Sequence, residues 1–461
     1  MPLLPSEREY GTLGANSTCF AYGVATWCFL TGGYVAELVG ALEGLICLVA
    51  GNMIGVLLAS LPLSFVCQRN GLEQIDACKP AFGPKGIVLV LILYLINMLG
   101  WSGLILVMFG NGIRNIALSL GFQAGEWLTS LGVALGILLS YLMVRRGVAT
   151  LNRFNAIIAP GLVLLVGFLF YMLFDGHGWQ KISEAPPLAP GPSPVTNYLI
   201  AVELGIASGF SWWGGIGFLA RNTKTRRNSI YPEVIQLGFA SGVVCAAGTF
   251  SALVVQSSDP TEWMIPLGGV VMGVIALIFV ALANVTSTAI SAYASGLALR
   301  HLRVFRSTAW KWVICVTLIP CLPFVIWPGE LSGLGDAFLA YNGTMYAPIS
   351  GILLIDYFFL RRQRISLWSI FEDDASGRYY HVRGINWVAL IALLSGQIFY
   401  VFLYNPITGA THDWLRFINP SLGGFCVSAA LYALGMLVIS HGERPERVPE
   451  HEPARLVAPN I

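Results

Sequence analysis

The segment Ile349-Ser-Gly-Ile-Leu-Leu-Ile-Asp-Tyr-Phe-Phe-Leu-Arg-Arg362, followed by Gly377-Arg-Tyr-Tyr-His-Val-Arg-Gly-Ile-Asn-Trp387, decides the fold of this chain. An apolar helix ends in an Asp-Tyr pair and two arginines, and a short aromatic loop leads into another apolar helix. Arginine side chains at a helix end reach the lipid headgroups, and tyrosine rings are amphipathic enough for the same depth. The segment therefore predicts a membrane exit followed by the next membrane crossing.

The whole chain has the composition of a polytopic membrane protein. Of its 461 residues 56% are hydrophobic and 11% are charged, and the mean hydropathy is +0.71. A helix needs about 20 apolar residues to cross the hydrocarbon core. We expect an all-α fold with about twelve transmembrane helices, near residues 17–40, 42–66, 87–109, 128–143, 157–174, 198–219, 235–255, 268–299, 310–327, 338–360, 387–404 and 420–440. The fourth and fifth are short, and the length of the eighth predicts a broken or re-entrant helix.

The distribution of positive charge predicts the orientation of these helices. All but three of the 26 Lys and Arg residues fall in alternate connecting segments, on the side of the N-terminus, and the exceptions are Arg114, Lys181 and Arg416. Cytoplasmic loops carry the excess of positive charge. We therefore expect a multi-pass protein of the plasma or inner membrane with both termini cytoplasmic. Its parts would be an N-terminal tail (1–16), a transporter domain (17–440) and a C-terminal tail (441–461).

The sequence offers no motif for an enzyme or a cofactor. All six histidines lie in loops or tails, so no predicted span holds ligands for haem or copper. There is no P-loop for ATP and no acidic cluster for Mg²⁺, and the nine cysteines lack metal or disulfide spacing. The chain is therefore predicted to be a secondary transporter, not an enzyme, without a cofactor or a metal beyond a possible coupling Na⁺ and without a nucleic-acid partner.

Two glycine-rich regions occupy corresponding positions in the predicted spans. The first span contains Tyr22-Gly-Val-Ala-Thr-Trp27, and the sixth contains Gly205-Ile-Ala-Ser-Gly-Phe-Ser-Trp-Trp-Gly-Gly-Ile-Gly217. Secondary transporters bind substrate near the membrane midplane, where helices of two inverted repeats are discontinuous. This favours a five-plus-five inverted repeat with two extra helices. The alternative is that the glycines only allow close helix packing.

One face of the third span combines aromatic and amide side chains. Tyr94, Asn97 and Trp101 are spaced at i, i+3 and i+7, so they share a helical face. Trp101 lies deep in the span, although tryptophan usually lies at the interface. An aromatic platform beside an amide suits a flat ring with polar edges, since aromatic side chains stack on bases and an amide both donates and accepts. The alternative is a tryptophan that only packs between helices.

The tenth and eleventh spans, with the segments quoted above, resemble the nucleobase:cation symporter-1 family, and the similarity extends from Tyr10 to Ser440. Its members include cytosine, allantoin and hydantoin permeases. The resemblance implies an APC/LeuT-like fold and a cation-coupled symporter that imports a nucleobase or a related nitrogen heterocycle by alternating access. It also implies that the ring lies between Trp101 of the third span and either Trp212 or Trp213 of the sixth.

The eighth span contains the most polar run in the membrane, Asn284-Val-Thr-Ser-Thr-Ala-Ile-Ser291. We expect Thr286 and Ser287 to bind a cation together with backbone carbonyls freed near Ala25, and Thr288 and Ser291 to face the substrate. Hydroxyls in a helix can instead bond back to their own carbonyls. An alternative alignment with the family places its paired hydroxyls at Leu282 and Ala283, which would remove the sodium site.

Acidic side chains keep proton coupling open. Glu203, in the sixth span, is the candidate proton site because an intramembrane carboxylate suggests a function, whereas Asp356 beside Arg361 is interpreted as an interface anchor. The predicted partners are a small heterocyclic substrate and membrane lipid, and the sequence does not indicate an oligomeric state. Alternatives are an amino-acid or other small-molecule permease of the same fold, or a channel.

Overall fold

In the computed structural model, the described residues are 2–24, 26–145, 149–372, 374–375 and 377–442, and the regular elements among them are helices. Each of the twelve apolar stretches contains a helix or a pair of helices. In the order of the chain the twelve spans are Thr12–Gly23 with Thr26–Leu38, Ala41–Asn70, Ile87–Ser119, Glu126–Val144, Ala149–Gly176, Pro194–Ser211 with Trp213–Arg221, Arg226–Pro232 with Glu233–Ala240 and Ser241–Val255, Met264–Leu299, Trp310–Leu318 with Ile319–Cys321, Gly335–Leu354 with Ile355–Leu360, Trp387–Leu403, and Pro420–Gly442.

Length and hydropathy support the membrane assignment. Within the described residues, eight helices are long and apolar enough to cross a membrane, and two bent helix pairs raise the number to ten. The ninth and eleventh spans are the shorter apolar helices Trp310–Cys321 and Trp387–Leu403. Large apolar side chains on the outside of the bundle, such as Val271 (73% exposed) and Ile398 (70% exposed), are suited to contact with lipid.

The second and sixth spans pack at backbone contact through glycine. A Cβ atom added to Gly55 would lie 2.2 Å from the carbonyl oxygen of Ile206, and one added to Gly209 would lie 2.4 Å from that of Asn52. Neither position tolerates a larger residue without separating the helices. The packing interpretation of the glycines is therefore confirmed at Gly209, and this contact fixes the sixth span against the second.

The breaks in the spans differ in size. The two helices of the first span meet at an angle of 52°, with the break after Val24. The sixth span is divided at Trp212 into Pro194–Ser211 and Trp213–Arg221, but this discontinuity is only a tight turn with helical torsion angles, and the span continues from Pro194 to Arg221. The break in the eighth span lies near its start, at Gly269, whose φ of 70° is readily adopted by glycine.

The two predicted tails are described to different extents. The first helix already begins at Thr12, and the residues before it are docked: the backbone N–H of Leu3 donates to the carbonyl of Gly71 (2.9 Å), and that of Tyr10 donates to Asn222 (2.9 Å). The tail predicted after Ser440 lies almost wholly outside the described residues.

Candidate functional site

Four spans contribute to one buried group of rings, which we call the aromatic cluster: Tyr22, Trp27, Trp101, Trp212 and Phe338. The ring of Trp27 lies between two tryptophans, with centroid distances of 5.2 Å to Trp101 and 4.6 Å to Trp212, and meets both edge to face. Tyr22 contacts Trp212 at 5.2 Å, and Phe338 contacts Trp101 at 5.4 Å. The cluster joins the break of the first span to the third, sixth and tenth spans.

The two tryptophans of the sixth span have different neighbours. Trp212 joins the aromatic cluster, whereas Trp213 is fully buried and stacks on Tyr346 of the tenth span, with centroids 4.9 Å apart and an interplanar angle of 13°. Trp212 is therefore the sixth-span ring that lies near Trp101. Its indole N–H is buried and has no hydrogen-bond partner among the described residues, so a donor is available at the edge of the cluster.

Asn97 is anchored by an asparagine that the sequence analysis did not single out. The side-chain amide of Asn97 donates to Oδ1 of Asn342 in the tenth span, and the amide of Asn342 donates to the carbonyl of Phe338 at 2.8 Å. These bonds leave Oδ1 of Asn97 buried and without a partner in the described part of the chain. Because Asn97 and Trp101 share a helical face, this acceptor lies on the side of the third span that carries the cluster.

The polar run of the eighth span meets the first span through Asn284. The hydroxyl of Thr26, which follows the break, donates to Oδ1 of Asn284, whereas Nδ2 of Asn284 is buried without a partner among the residues described. Ser287, Thr288 and Ser291 follow Asn284 by three, four and seven residues, so they share its face. The hydroxyl of Thr288 donates back to the carbonyl of Asn284 at 2.9 Å.

Thr286 lies on a different face of this helix. It follows Asn284 by two residues, is itself buried (4% exposed), and its hydroxyl donates to the carbonyl of Ala283 at 2.9 Å. Ala25 lies outside the described residues. The structure brings Asn284 to the broken first span, and the sodium site at Thr286 and Ser287 stays a prediction.

Glu203 lies away from the aromatic cluster, in a buried contact with the last two spans. Its Oε1 accepts from the hydroxyls of Tyr400 (2.9 Å) and Ser421 (2.6 Å), and its Oε2 accepts from the backbone N–H of Ser421 (3.1 Å). Asp356 has the anchoring role expected of it, since Arg361 donates to it at 2.7 Å and Tyr432 donates at 2.7 Å.

A second buried carboxylate, Glu233, was missed because the seventh span was expected to begin at residue 235. It is 1% exposed and accepts from the hydroxyl of Ser64 in the second span and from that of Ser229 at 3.3 Å.

The sequence did not single out four other residues of the site region, namely Tyr22, Trp27, Asn342 and Phe338. Their residue types are common in membrane helices, and only the packing of separate spans brings them together.

A polar cluster lies outside the membrane, where the end of the eighth span meets the helix Gln74–Phe82. Nε2 of His301 is 3.3 Å from Asp76 and 3.6 Å from Glu73, and Lys79 is 3.2 Å from Asp76. The three ligand atoms of Glu73, Asp76 and His301 lie within 4.8 Å of one another, a spacing that could hold a metal ion. With the Lys79 ammonium beside Asp76, these four residues form an ion-pair network in the structure.

The electrostatics of this network follow from burial and charge. Burial opposes ionisation of Asp76, but the hydrogen bond and charge of His301, with Lys79, outweigh it and lower the pKa of Asp76 to about 2. Burial likewise lowers the pKa of His301, but the hydrogen bond and charge of Asp76, with the charge of Glu73, outweigh it and raise that pKa. The network therefore favours a protonated His301.

A bundle of membrane-spanning helices with a break in its first span and buried rings and amides beside it has the architecture of a secondary transporter. Comparison with solved structures agrees. The chain superposes on the inward-facing conformation of Mhp1 with a TM-score of 0.81 at 19% identity, covering 96% of this chain and 93% of that one. Its TM-score against a closed, bromovinylhydantoin-bound form, described as a nucleobase-cation-symport-1 family transporter, is 0.76 at 19% identity, over 96% and 95% of the two chains.

Sequence comparison identifies the family. Residues 7–419 match the family described as permeases for cytosine/purines, uracil, thiamine and allantoin. The hydantoin permease of Microbacterium maritypicum is 23% identical (84% of this chain, 81% of the relative), and the purine-uracil permease NCS1 of Arabidopsis thaliana is 21% identical (86% and 69%). The allantoin permease of Bacillus subtilis (strain 168) is 23% identical (80% and 78%). The chain belongs to the nucleobase:cation symporter-1 family. It is a cation-coupled symporter and not an enzyme, which confirms the resemblance, fold class and function predicted from the sequence.

Proposed function

We propose that this protein imports a flat nitrogen heterocycle, of the nucleobase, hydantoin or allantoin type, which it binds between Trp101 and Trp212. The observation that carries the proposal is the position of Trp27. This ring lies between the other two tryptophans and meets each of them edge to face. A substrate ring that replaces Trp27 there would gain two stacking surfaces.

The polar atoms near the cluster support a ring with both donor and acceptor groups. Oδ1 of Asn97 is an acceptor, whereas the indole N–H of Trp212 and Nδ2 of Asn284 are donors, and none of the three has a partner among the described residues. Cyclic imides, ureides and nucleobases present N–H and C=O groups at their edges. In this proposal Asn97 and Asn284 select such a ring, and Thr288 and Ser291 lie further along the same face as Asn284, whereas Trp213, stacked on Tyr346, lies outside the site.

The direction of transport and the orientation of the protein in the membrane are part of the proposal. The charge asymmetry of the loops supports cytoplasmic termini in a plasma or inner membrane, so that uptake carries the substrate toward the side of the N-terminus.

An amino-acid permease of the same fold is the second candidate, because the helix that begins at Thr26 could direct its N-terminus at a substrate carboxylate. The hydroxyl of Thr26 is, however, already bonded to Asn284.

Uptake competition in whole cells tests the proposal. Cytosine, uracil, purines, hydantoin, allantoin, thiamine precursors and amino acids are each added in excess to the labelled members of the set. The proposal expects competition within the heterocycles and none from amino acids. Competition by amino acids alone would establish the second candidate, and flux without saturation or counterflow would indicate a channel.

A further inference from the structure

Glu233 is a buried carboxylate in the membrane that the proposed substrate site does not use. It lies seven residues after Arg226, the first residue of the seventh span, which is about 10 Å along a helix. Its hydrogen-bond donors include the hydroxyls of Ser64 and Ser229. A carboxylate at such a depth is costly unless it is compensated.

The type of donor distinguishes Glu233 from Glu203. A serine hydroxyl can donate to an ionised carboxylate or rotate and accept from a protonated one, so the surroundings of Glu233 satisfy both protonation states. Glu203 instead accepts from the backbone N–H of Ser421, which can only donate, and the hydroxyl of Tyr400 also donates to the carbonyl of Ala340 (2.9 Å). The contacts of Glu203 are those of a structural link between the sixth span and the last two spans, whereas the rotatable hydroxyls around Glu233 suit a group that gains and loses a proton.

Among the residues that the structure describes, Glu233 has no ion-pair partner that would hold it in its ionised form. Within the described parts of the chain, no basic side chain lies within 4.0 Å of its oxygens. The titratable groups that face it are two thiols, Cys19 from the first span and Cys67 from the second, and both lie on the elements packed against it. We therefore expect Glu233 to bind a proton.

The segment that begins at Glu233 touches the part of the first span that ends at the break. It is a π-helical stretch, Glu233–Ala240, and such irregular turns are frequent at functional sites. Nε2 of Gln236 donates to Oδ1 of Asn16 at 3.1 Å, and the carbonyl oxygen of Gln236 would lie 2.9 Å from a Cβ atom on Gly23. A change in the hydrogen bonds of Glu233 would therefore occur beside the helix Thr12–Gly23. Movement of this helix would open the site toward the N-terminal side.

We propose that Glu233 carries the coupling proton of this symporter. Its carboxylate binds one proton from the side of substrate entry and releases the same proton to the opposite side, and the protonation state of Glu233 controls the position of the helix Thr12–Gly23. This inference rests on the proposed function only for the choice of substrate.

The first test uses purified protein without substrate, so that it is independent of substrate identity. The melting temperatures of the wild type, Glu233→Gln and Glu203→Gln are measured from about pH 5 to pH 9, the range over which a buried carboxyl can titrate. The wild type and Glu203→Gln should share a pH dependence that Glu233→Gln lacks. An identical pH profile in Glu233→Gln and the wild type would overturn the proposal.

The second test uses proteoliposomes and labelled hydantoin or uracil. With one proton per substrate, an inward gradient of one pH unit supports about tenfold accumulation, since 1.4 kcal/mol corresponds to a decade. Glu233→Gln should lose this accumulation and keep counterflow at equal pH, which shows that it is folded, and Glu233→Asp should recover part of it. Accumulation by Glu233→Gln equal to the wild type, or wild-type accumulation driven by Na⁺ and indifferent to pH, would overturn the proton assignment. If neither compound is transported, the substrate proposal fails and the melting profiles still decide the role of Glu233.

Discussion

Replacing Trp101 by alanine should weaken substrate binding strongly while the bundle stays folded. Stacking of a base on an aromatic side chain is worth about 1–3 kcal/mol. Since 1.4 kcal/mol corresponds to a factor of ten, the dissociation constant should rise about 5- to 150-fold. Trp101→Phe keeps a smaller aromatic face and should lose only part of the affinity.

The structural cost of this change has to be separated from the loss of binding. Trp101 is 8% exposed and contacts the rings of Trp27 and Phe338, so truncation removes edge-to-face pairs worth about 0.5–1.5 kcal/mol each. The matched control is Trp213→Phe, which changes an equally buried indole that stacks on Tyr346, away from the cluster. It should lower the melting temperature but leave the affinity near that of the wild type.

The assay is equilibrium binding of labelled hydantoin or uracil to purified protein, with gel filtration and melting temperature as measures of folding. Wild-type affinity in a well-folded Trp101→Ala variant would refute the stacking interpretation. Equal losses in Trp101→Ala and Trp213→Phe would show that the aromatic packing acts through stability alone.

Three further predictions concern orientation, cation and stability. A cysteine at Gln180 should react with an impermeant reagent from outside intact cells and one at Ala375 should not; the reverse pattern would invert the membrane topology. If Glu233 carries the coupling proton, a double alanine replacement of Thr286 and Ser287 should leave the cation dependence of uptake unchanged, whereas a tenfold or larger loss of Na⁺ affinity would establish the sodium site predicted from the sequence. His301→Gln should lower the free energy of unfolding by about 1.5–3 kcal/mol. Because the pKa of His301 is raised, this contribution is complete below about pH 6.5 and is lost as the pH rises through the raised value. A difference in melting temperature between the variant and the wild type that does not shrink at high pH would contradict this prediction.

The sequence was sufficient for the features that depend on local composition. Apolar length placed a helix at each of the twelve stretches, and the i, i+3, i+7 spacing put Asn97 and Trp101 on one face. Residues such as Trp27 and Asn342 could not be assigned in this way, because their importance arises only where separate spans meet. One sequence also could not show that Trp212 and Trp213, adjacent in the chain, point to different neighbours.

Helix boundaries account for the remaining differences. The seventh span begins at Arg226, nine residues before the expected start at 235, since hydropathy is low over Arg226–Pro232 although the backbone is already helical. Glu233 was therefore placed in a loop. The glycines of the sixth span were expected to mark a discontinuity; the helix is interrupted by no more than a tight turn at Trp212, and Gly209 lets its backbone approach that of the second span. In both places tertiary packing, which is absent from local sequence patterns, determines the backbone.

A structure of the protein with a bound heterocycle, hydantoin or uracil, tests the proposed substrate site most directly. We predict that Trp27 moves from its place between Trp101 and Trp212, and that the bound ring takes that place with an N–H or C=O group at Asn97. A bound ring elsewhere, with Trp27 still between the two tryptophans, would contradict it.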